Sequence, residues 1–324
     1  MVPGNQQAQI KDLVHYGAYV PKSGVDWCNK MVNEIQVKSI LNKHKKRDDW
    51  FLDDYSVNPY YGCQINCLYC YIRGSKYGTN MGRTLSAKMN APSVLRKQVK
   101  SRARKKEYGI IFFSSQEAYL PIEKKYKLTR RLLDVALLYR FPVHIATKST
   151  LVLRDLELLK NIDRNAVLPA DLIDVLARGV IISFSFSSLD EELGKIFETG
   201  APPPEKRLET MRLCKEEGFL VGVNLIPVLP FLSDSKEQVG DMIRKAKAYG
   251  ADFVRVGSLN LYGDGPADSR TLFFQDLGRH FPELILKYKE LFHTHPSLPW
   301  SYQKKLEEMS IKLCEEIGIK YGIV

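Results

Sequence analysis

The chain of 324 residues has no long hydrophobic run. A membrane-spanning helix needs roughly 20 largely apolar residues, and the longest apolar stretches here, such as GVIISFSF at 179–186, are far shorter. The opening residues MVPGNQQAQIKDLVHYG also lack the apolar centre of a secretory signal. We therefore predict a cytoplasmic protein with no membrane partner. In that reducing compartment, its six cysteines are expected to be thiols or metal ligands before disulfides.

Acidic residues are outnumbered, because 48 Lys and Arg face 37 Asp and Glu and give a net charge of +11. That balance favours an anionic partner such as nucleic acid, and a basic surface with no such partner is the alternative. Two basic segments stand out, RKQVKSRARKK at 96–106 and KHKKR at 43–47. On a helix the charges of the first segment spread widely, which favours a solvated outer face over a phosphate-binding patch.

Six short strand-like segments alternate with helical ones along the chain. They are near-continuous apolar runs, which is typical of parallel strands that are covered on both faces. Such βαβ units form an open sheet or an incomplete barrel, and the periodicity alone leaves both open. We place an N-terminal extension at 1–54, the strand–helix domain at 55–265, and a C-terminal loop with two amphipathic helices at 266–324. The predicted strands are 55–62, 109–114, 142–147, 179–186, 219–226 and 251–257.

Three cysteines, Cys63, Cys67 and Cys70, fall within eight positions in the spacing C-x3-C-x2-C. A structural zinc site needs four ligands, and the fourth is missing nearby; His144, on another predicted strand, is the candidate that would complete it. The other interpretation is an iron–sulfur cluster. Three thiolates would hold three irons of a [4Fe–4S] cube and leave one iron with an open coordination position.

This spacing, with an aromatic residue before the last cysteine, resembles the signature of the radical S-adenosylmethionine (radical SAM) superfamily. The resemblance implies a partial (β/α)6 TIM-type barrel of parallel strands, with N- and C-terminal extensions. It also implies that the open iron binds S-adenosylmethionine, whose reductive cleavage gives a 5′-deoxyadenosyl radical. That radical takes a hydrogen atom from the substrate. A low-potential electron donor, ferredoxin or flavodoxin, is the partner that such chemistry implies.

Further segments resemble one branch of that superfamily, the spore photoproduct lyase-like (DNA repair photolyase-like) proteins. The branch implies a nucleic-acid base or nucleotide as substrate. The alternatives are radical modification of a protein or peptide, and a non-enzymatic protein that binds nucleic acid through an iron–sulfur or zinc site. The matching segments are KSILNK (38–43), NPYYGC (58–63), CLYCY (67–71), AYLPIEKKYKLTR (118–130), FPVHIATKSTLVLRD (141–155), ETGAPPPEKRLE (198–209) and IPVLPFLSD (226–234).

The resemblance also assigns cofactor-binding residues. Tyr69 matches a residue that packs against the adenine, and Ser115 one near the methionine part of S-adenosylmethionine. Glu117 is the acidic residue closest to the position that binds its amino group, although the usual TDPYQP reads QEAYLP here. Lys148 matches a lysine of the motif TKS that contacts the cofactor, and a lysine at a strand end could pair with its carboxylate or ribose.

Three polar residues in strands complete the expected cofactor site. Ser183 and Ser185 alternate with Phe184, so both point to one side of the strand, and either could reach the ribose. Asn224 lies in the otherwise apolar LVGVNLIP. A buried amide needs hydrogen-bond partners, which the cofactor or the protein itself would supply.

One position departs from the branch. Spore photoproduct lyase has a cysteine at the end of the second strand, which returns a hydrogen atom to the repaired base, whereas this chain has Ser114. A serine O–H bond is too strong for that role. Tyr71 matches a tyrosine of the same hydrogen-return path. The remaining cysteines, Cys28, Cys214 and Cys314, are expected to be packed thiols. We therefore predict a radical SAM enzyme, lyase-like or with another radical-based modification, without assigning spore photoproduct repair.

Overall fold

The computed structural model describes residues 4–16, 32–78, 84–113, 116–293 and 295–324. The strands are β1 (Asn33–Ile35), β2 (Asn42–Lys43), β3 (Tyr55–Val57), β4 (Tyr60–Tyr61), β5 (Ser86–Lys88), β6 (Ile111–Phe113), β7 (Val143–Thr147), β8 (Val180–Phe186), β9 (Leu220–Val228), β10 (Phe253–Ser258) and β11 (Lys320–Tyr321). The helices are α1 (Gly4–Tyr16), α2 (Ala91–Arg104), α3 (Glu123–Tyr126), α4 (Leu128–Tyr139), α5 (Leu156–Asn165), α6 (Glu191–Phe197), α7 (Pro204–Glu216), α8 (Lys236–Ala248), α9 (Ser269–His280), α10 (Ile285–Leu291) and α11 (Trp300–Ile317).

Eight strands form the main sheet, in the order β11-β10-β9-β8-β7-β6-β3-β2. From β3 to β11 every neighbouring pair is parallel, and only β2 runs antiparallel to its neighbour. The sheet does not close, because β2 and β11 are its two ends. The predicted fold class, a partial TIM-type barrel of parallel strands, is therefore confirmed.

The central strands are buried along their length, as the apolar runs predicted. All five residues of β7 are buried, as are six of the seven in β8. Helices α2, α4, α5, α7 and α8 follow β5, β6, β7, β8 and β9 in the chain. Their apolar faces join the strands in one core cluster, which includes Leu95, Leu132, Leu159 and Met211.

Both extensions contribute to the sheets. The N-terminal part supplies β2 to one edge of the main sheet and β1 to a small sheet with β4 and β5. The C-terminal part supplies β11 to the other edge and contains three helices, where the sequence predicted two. Pro282 explains this difference, because it lies in a short 3-10 turn that separates α9 from α10. The division at residues 54 and 265 stays a prediction.

None of the helices in the described parts of the chain is both long and apolar enough to cross a membrane.

Candidate active site

A cavity of about 380 Å³ lies at the carboxyl ends of the parallel strands. This is the end at which parallel barrels place their active sites. Its wall takes Thr147 and Lys148 from the end of β7, Ser185 from β8, Asn224 from β9 and Ser258 from β10. The predicted residues that line the cavity are Cys63, Cys67, Tyr69, Cys70, Tyr71, Glu117, Lys148, Ser185 and Asn224.

For three predicted site residues, the structure does not show contact with the cavity. Ser114 and Ser115 lie outside the described residues, so their predicted roles stay predictions. Ser183 is fully buried, below the cavity wall. It faces the barrel interior, as its alternation with Phe184 predicted, but it reaches the cavity only through Asn224, whose Nδ2 donates a hydrogen bond to the Ser183 hydroxyl (2.8 Å).

The cysteine loop, residues 63–70, directs three half-buried thiols into the cavity. Burial raises the pKa of all three thiols, that of Cys63 to about 11. Backbone N–H groups oppose this rise, those of Ile65 and Glu117 at Cys63 and those of Ile72 and Arg73 at Cys70. The loop thus offers backbone hydrogen bonds to the sulfur atoms. Burial nevertheless keeps the thiols protonated at neutral pH, and a bound metal cation would be needed to stabilise the thiolates.

The donor set suits a cluster better than a single ion. Within the described ranges, no three His, Cys, Asp or Glu side chains are grouped so that they could hold one metal ion. An iron–sulfur cube presents a different iron to each thiolate, so its ligands surround a volume instead of converging on one atom. Three thiols on the wall of one cavity meet that requirement.

His144 does not complete a zinc site in this structure. Its Nδ1 lies 2.8 Å from the carbonyl oxygen of Phe51, so Nδ1 carries the proton and donates it. Its Nε2, 2.8 Å from the Ser183 hydroxyl, is then the acceptor. Burial lowers the pKa of His144 to about 4, which keeps the ring neutral. Both nitrogens are occupied, and the side chain is not part of the cavity wall.

The cysteine loop is joined to the segment that follows α6. The Leu68 N–H donates to the carbonyl oxygen of Phe197 (2.9 Å), and the Gly200 N–H donates to that of Ile65 (2.8 Å). Gly200 is required there, because an added β-carbon would lie 2.2 Å from the carbonyl oxygen of Gln64. These backbone bonds fix the loop to the barrel between its first and last cysteines.

Four buried or half-buried side chains, Tyr69, Lys148, Glu198 and Arg207, form what we call the cavity network. Glu198 accepts hydrogen bonds from the Tyr69 hydroxyl and the Arg207 guanidinium, and Lys148 Nζ lies 3.7 Å from its Oε1. Burial raises the pKa of Glu198, but the charges of Arg207 and Lys148 and the two hydrogen bonds outweigh it and hold this pKa at about 2. Tyr69 and Lys148 are also part of the cavity wall.

Sequence reasoning missed Glu198 and Arg207. Arg207 is 1% exposed and anchors the network to β8, since its Nη1 donates to the carbonyl oxygen of Ser185 (2.7 Å). A usable signal was present in ETGAPPPEKR, where Glu198 precedes and Arg207 follows a proline run at the start of α7. Such a turn brings its two ends together, but the sequence does not reveal that both charges are buried.

Glu117 has a fixed orientation at the end of β7. Its carboxylate accepts hydrogen bonds from the Thr147 hydroxyl (2.6 Å) and from the backbone N–H groups of Lys148 (2.8 Å) and Tyr119 (2.9 Å). A carboxylate has about four acceptor positions, so capacity remains for one ligand amine. Although QEAYLP replaces the usual TDPYQP here, Glu117 still places an acidic side chain on the cavity wall.

Several other described residues that the sequence singled out are not part of the cavity wall. Cys214 and Cys314 are buried core residues, as predicted, and Cys28 lies outside the described residues. His293 and His295 are exposed. In α2 the basic residues Arg96, Lys97, Lys100 and Arg104 are exposed while Leu95 and Val99 are buried, which agrees with a solvated outer face.

Comparison with known proteins agrees with this geometry. The profile of the family described as Radical SAM superfamily matches residues 57–246. An uncharacterized protein of Mycobacterium bovis is 31% identical over 282 residues, which are 85% of this chain and 78% of that protein. An uncharacterized protein of Methanocaldococcus jannaschii is 31% identical over 192 residues, 58% of this chain and 65% of that protein.

Solved structures of spore photoproduct lyase share the fold. A cysteine-to-alanine variant of that enzyme matches with a TM-score of 0.62 and 14% identity, over 90% of this chain and 81% of that one. A double variant with bound AdoMet and dinucleoside spore photoproduct matches with a TM-score of 0.56 and 16% identity, over 86% and 79%. At this identity the likeness establishes the fold alone.

Proposed function

Because this chain belongs to the radical SAM superfamily, whose members use a [4Fe–4S] cluster and S-adenosylmethionine, we propose that it is a radical enzyme acting on a nucleic-acid base or nucleotide. The observation that carries the proposal is the shared cavity. Three cysteine thiols, a lysine, an oriented carboxylate and an aromatic ring meet there at the carboxyl ends of the strands. Cys63, Cys67 and Cys70 would hold the cluster, which supplies the electron that cleaves S-adenosylmethionine to the 5′-deoxyadenosyl radical.

The other cavity residues would bind and orient S-adenosylmethionine. The Glu117 carboxylate has an acceptor position left for the amino group of S-adenosylmethionine. The Lys148 ammonium group would pair with the carboxylate of S-adenosylmethionine or donate to its ribose. Tyr69, held by Glu198 through its hydroxyl, presents its ring for the adenine. Ser185 and Asn224 face the cavity as hydrogen-bonding groups for the ribose, with Ser183 behind Asn224. Ser115 is proposed for the methionine part.

A nucleobase suits the open side of the cavity. The rings of Trp50, Phe51 and Tyr71 line it, and the Trp50 and Tyr71 side chains are 37% and 53% exposed. Exposed aromatic rings are the usual stacking partners of an unpaired base. The net charge of +11 also favours a polyanionic substrate such as nucleic acid. Spore photoproduct lyase, which shares the fold, binds a dinucleoside photoproduct.

We do not propose spore photoproduct repair. The two other cysteines that the structure describes, Cys214 and Cys314, are buried in the core and do not line the cavity. With Ser114 where that lyase has its cysteine, the hydrogen atom must be returned by another group or by a second substrate. Tyr71 is the candidate in this chain, because its ring lines the cavity one residue after Cys70.

The first test is the Cys67→Ala variant, purified without oxygen and reconstituted with iron and sulfide. The unsubstituted protein should bind about four irons per chain and form 5′-deoxyadenosine when dithionite and S-adenosylmethionine are added. The variant should lose the cluster absorbance and the product. Cys214→Ala, which removes a buried cysteine away from the cavity, should keep both. Survival of cleavage in Cys67→Ala, or one zinc and no iron in the unsubstituted protein, would overturn the proposal.

The substrate class needs a separate experiment. Oligonucleotides and peptides that carry deuterium at defined carbons would be offered to the reduced enzyme. Deuterium in 5′-deoxyadenosine from an oligonucleotide supports the proposed substrate, whereas transfer only from a peptide supports the alternative of protein modification. A ferredoxin or flavodoxin is the proposed physiological electron donor, and either should replace dithionite in this assay.

A further inference from the structure

Arg73 is a buried cation without an anionic partner. Its side chain is 2% exposed, and no carboxylate oxygen of the described residues lies within 4.0 Å of its guanidinium. The other fully buried arginine of the described residues, Arg207, is paired with Glu198, and the half-buried Arg154 is paired with Glu123 and Asp155. Burying a charge without a counter-charge is strongly unfavourable, so the burial of Arg73 needs an explanation.

The contacts of Arg73 do not compensate its charge. Its Nη2 donates to the side-chain carbonyl of Asn66, and its Nη1 donates to the backbone carbonyl oxygen of Ala267 (3.3 Å). Both acceptors are neutral. Its Nε is buried and has no hydrogen-bond partner among the described residues. Within the described residues, the guanidinium therefore lacks a counter-ion and has one unused donor inside the protein.

The anionic group that Arg73 meets in the assembled site would be the thiolate of Cys70. The Arg73 N–H donates to the Cys70 carbonyl oxygen (2.9 Å), so the two residues close one turn. The Arg73 guanidinium is also held on the loop by Asn66, which lies between the first two cysteines, and its charge acts on the Cys70 sulfur. The backbone turn and the Asn66 contact thus hold the buried Arg73 charge against the cysteine loop.

We propose that Arg73 is the internal counter-charge of the cysteine-bound cluster, an inference that rests on the proposed function. Three thiolates give a [4Fe–4S] cluster a net negative charge, and that charge grows by one when an electron enters. A cation buried nearby stabilises the reduced form more than the oxidised form, because the attraction rises with the charge it meets. Net charge is one of the quantities that set cluster potentials. Arg73 is therefore a tuning residue that acts through Cys70 without contacting substrate.

A purely structural role is the competing explanation. Asn66 has a left-handed backbone (φ +52°), and its Nδ2 donates to the Thr199 hydroxyl (2.9 Å) while its oxygen accepts from Arg73. Arg73 could therefore serve only to hold the loop in place. The Asn66→Gly variant separates the two roles, since glycine accepts this backbone conformation and the change removes the tether while leaving the charge.

The experiment compares Arg73→Met, Arg73→Lys and Asn66→Gly in the full-length, reconstituted protein. One electron is added from dithionite in a redox titration, and the reduced cluster is followed by electron paramagnetic resonance. Arg73→Met should shift the midpoint to more negative potential. Arg73→Lys and Asn66→Gly should stay near the unsubstituted value. The rise in melting temperature on loading the cluster should also be smaller for Arg73→Met than for the other two variants.

Each possible result for the variants supports or overturns the counter-charge role of Arg73. A Met variant that loads and keeps the original potential overturns the inference, as does an Asn66→Gly variant with the same shift. If the Met variant does not hold a cluster but the Lys variant does, the requirement for a positive charge is supported. If neither holds one, the role is structural and the inference fails. Failure of the unsubstituted protein to load any cluster would instead overturn the proposed function.

Discussion

The cavity network has a counterpart on the other side of the cysteine loop. In each network a buried tyrosine hydroxyl donates to a buried glutamate, and an arginine pairs with the same carboxylate. Both glutamates are at most 3% exposed. We call the second set the outer network: Tyr60, Glu123, Arg154 and Asp155.

The two networks differ in what else they contact. Tyr69 and Lys148 of the cavity network line the cavity, whereas no member of the outer network does. Glu123 accepts instead from the backbone N–H of Thr129 (3.0 Å), near the start of α4. The outer network thus holds a helix in place, and the cavity network holds two side chains that face the proposed cofactor. Burial of charge is common to both, so only the contact with the cavity argues for function.

The largest effect should come from removing each arginine. Arg207→Met removes the guanidinium that pairs with buried Glu198, and Arg154→Met removes the one that pairs with buried Glu123. Each change should lower the free energy of unfolding by about 3–5 kcal/mol. Urea denaturation of the cluster-free protein measures this loss. At a temperature where both variants are folded, Arg207→Met should also weaken binding of S-adenosylmethionine by the loaded protein, whereas Arg154→Met should not. Equal affinities in the two variants would remove the distinction between the networks.

The free energy of unfolding at low pH should depend on Glu198. Its pKa of about 2 in the folded protein lies below the ordinary value of about 4.3. The ionised form therefore stabilises the fold above about pH 4.3, and this contribution, about 3 kcal/mol, is lost as the pH falls from there to about 2. Glu198→Gln should lose less stability over that interval than the unsubstituted protein, in chemical denaturation at stepwise lower pH. The surface variant Glu290→Gln controls for removal of one carboxylate, and an unchanged slope in Glu198→Gln would contradict the assignment.

A smaller effect should follow from removing the two tyrosine hydroxyls. Tyr60→Phe and Tyr69→Phe each delete one hydrogen bond to a buried carboxylate, which is worth about 1.5–3 kcal/mol of stability. Thermal unfolding should show similar losses in both variants. Binding of S-adenosylmethionine should weaken only in Tyr69→Phe, because its ring loses the bond that orients it toward the cavity. A matching loss of affinity in Tyr60→Phe would mean that the loop as a whole is disturbed.

The sequence predicted what local pattern controls. Apolar runs marked the six inner strands. The family resemblance indicated Lys148, strand alternation indicated Ser185, and a polar residue in an apolar strand indicated Asn224; all three line the cavity. Edge strands β2 and β11 were not predicted, since two residues carry no periodicity. The pairing of Tyr69 with Glu198 joins positions 129 residues apart.

No local pattern marks a charge that will be buried by distant segments. Arg73 lies three residues after Cys70, yet its burial without a counter-charge is visible only when the surrounding carboxylates have positions. The same limit applies to Ser183 and Ser185, which share a strand face but differ in depth below the cavity.

The smallest effect on stability should come from Tyr71, which is the loop tyrosine that belongs to neither network. Its side chain is 53% exposed, and its hydroxyl has no hydrogen-bond partner among the described residues. Tyr71→Phe should therefore change the free energy of unfolding by less than about 0.5 kcal/mol. Formation of 5′-deoxyadenosine without substrate should also be unchanged, because Tyr71 holds neither the cysteines nor Lys148. Product formation from a substrate should fall if the phenolic hydrogen is returned through Tyr71. A fall in stability, in 5′-deoxyadenosine formation and in product together would show that the Tyr71 hydroxyl supports the loop. An intact yield of product would exclude Tyr71 from hydrogen return.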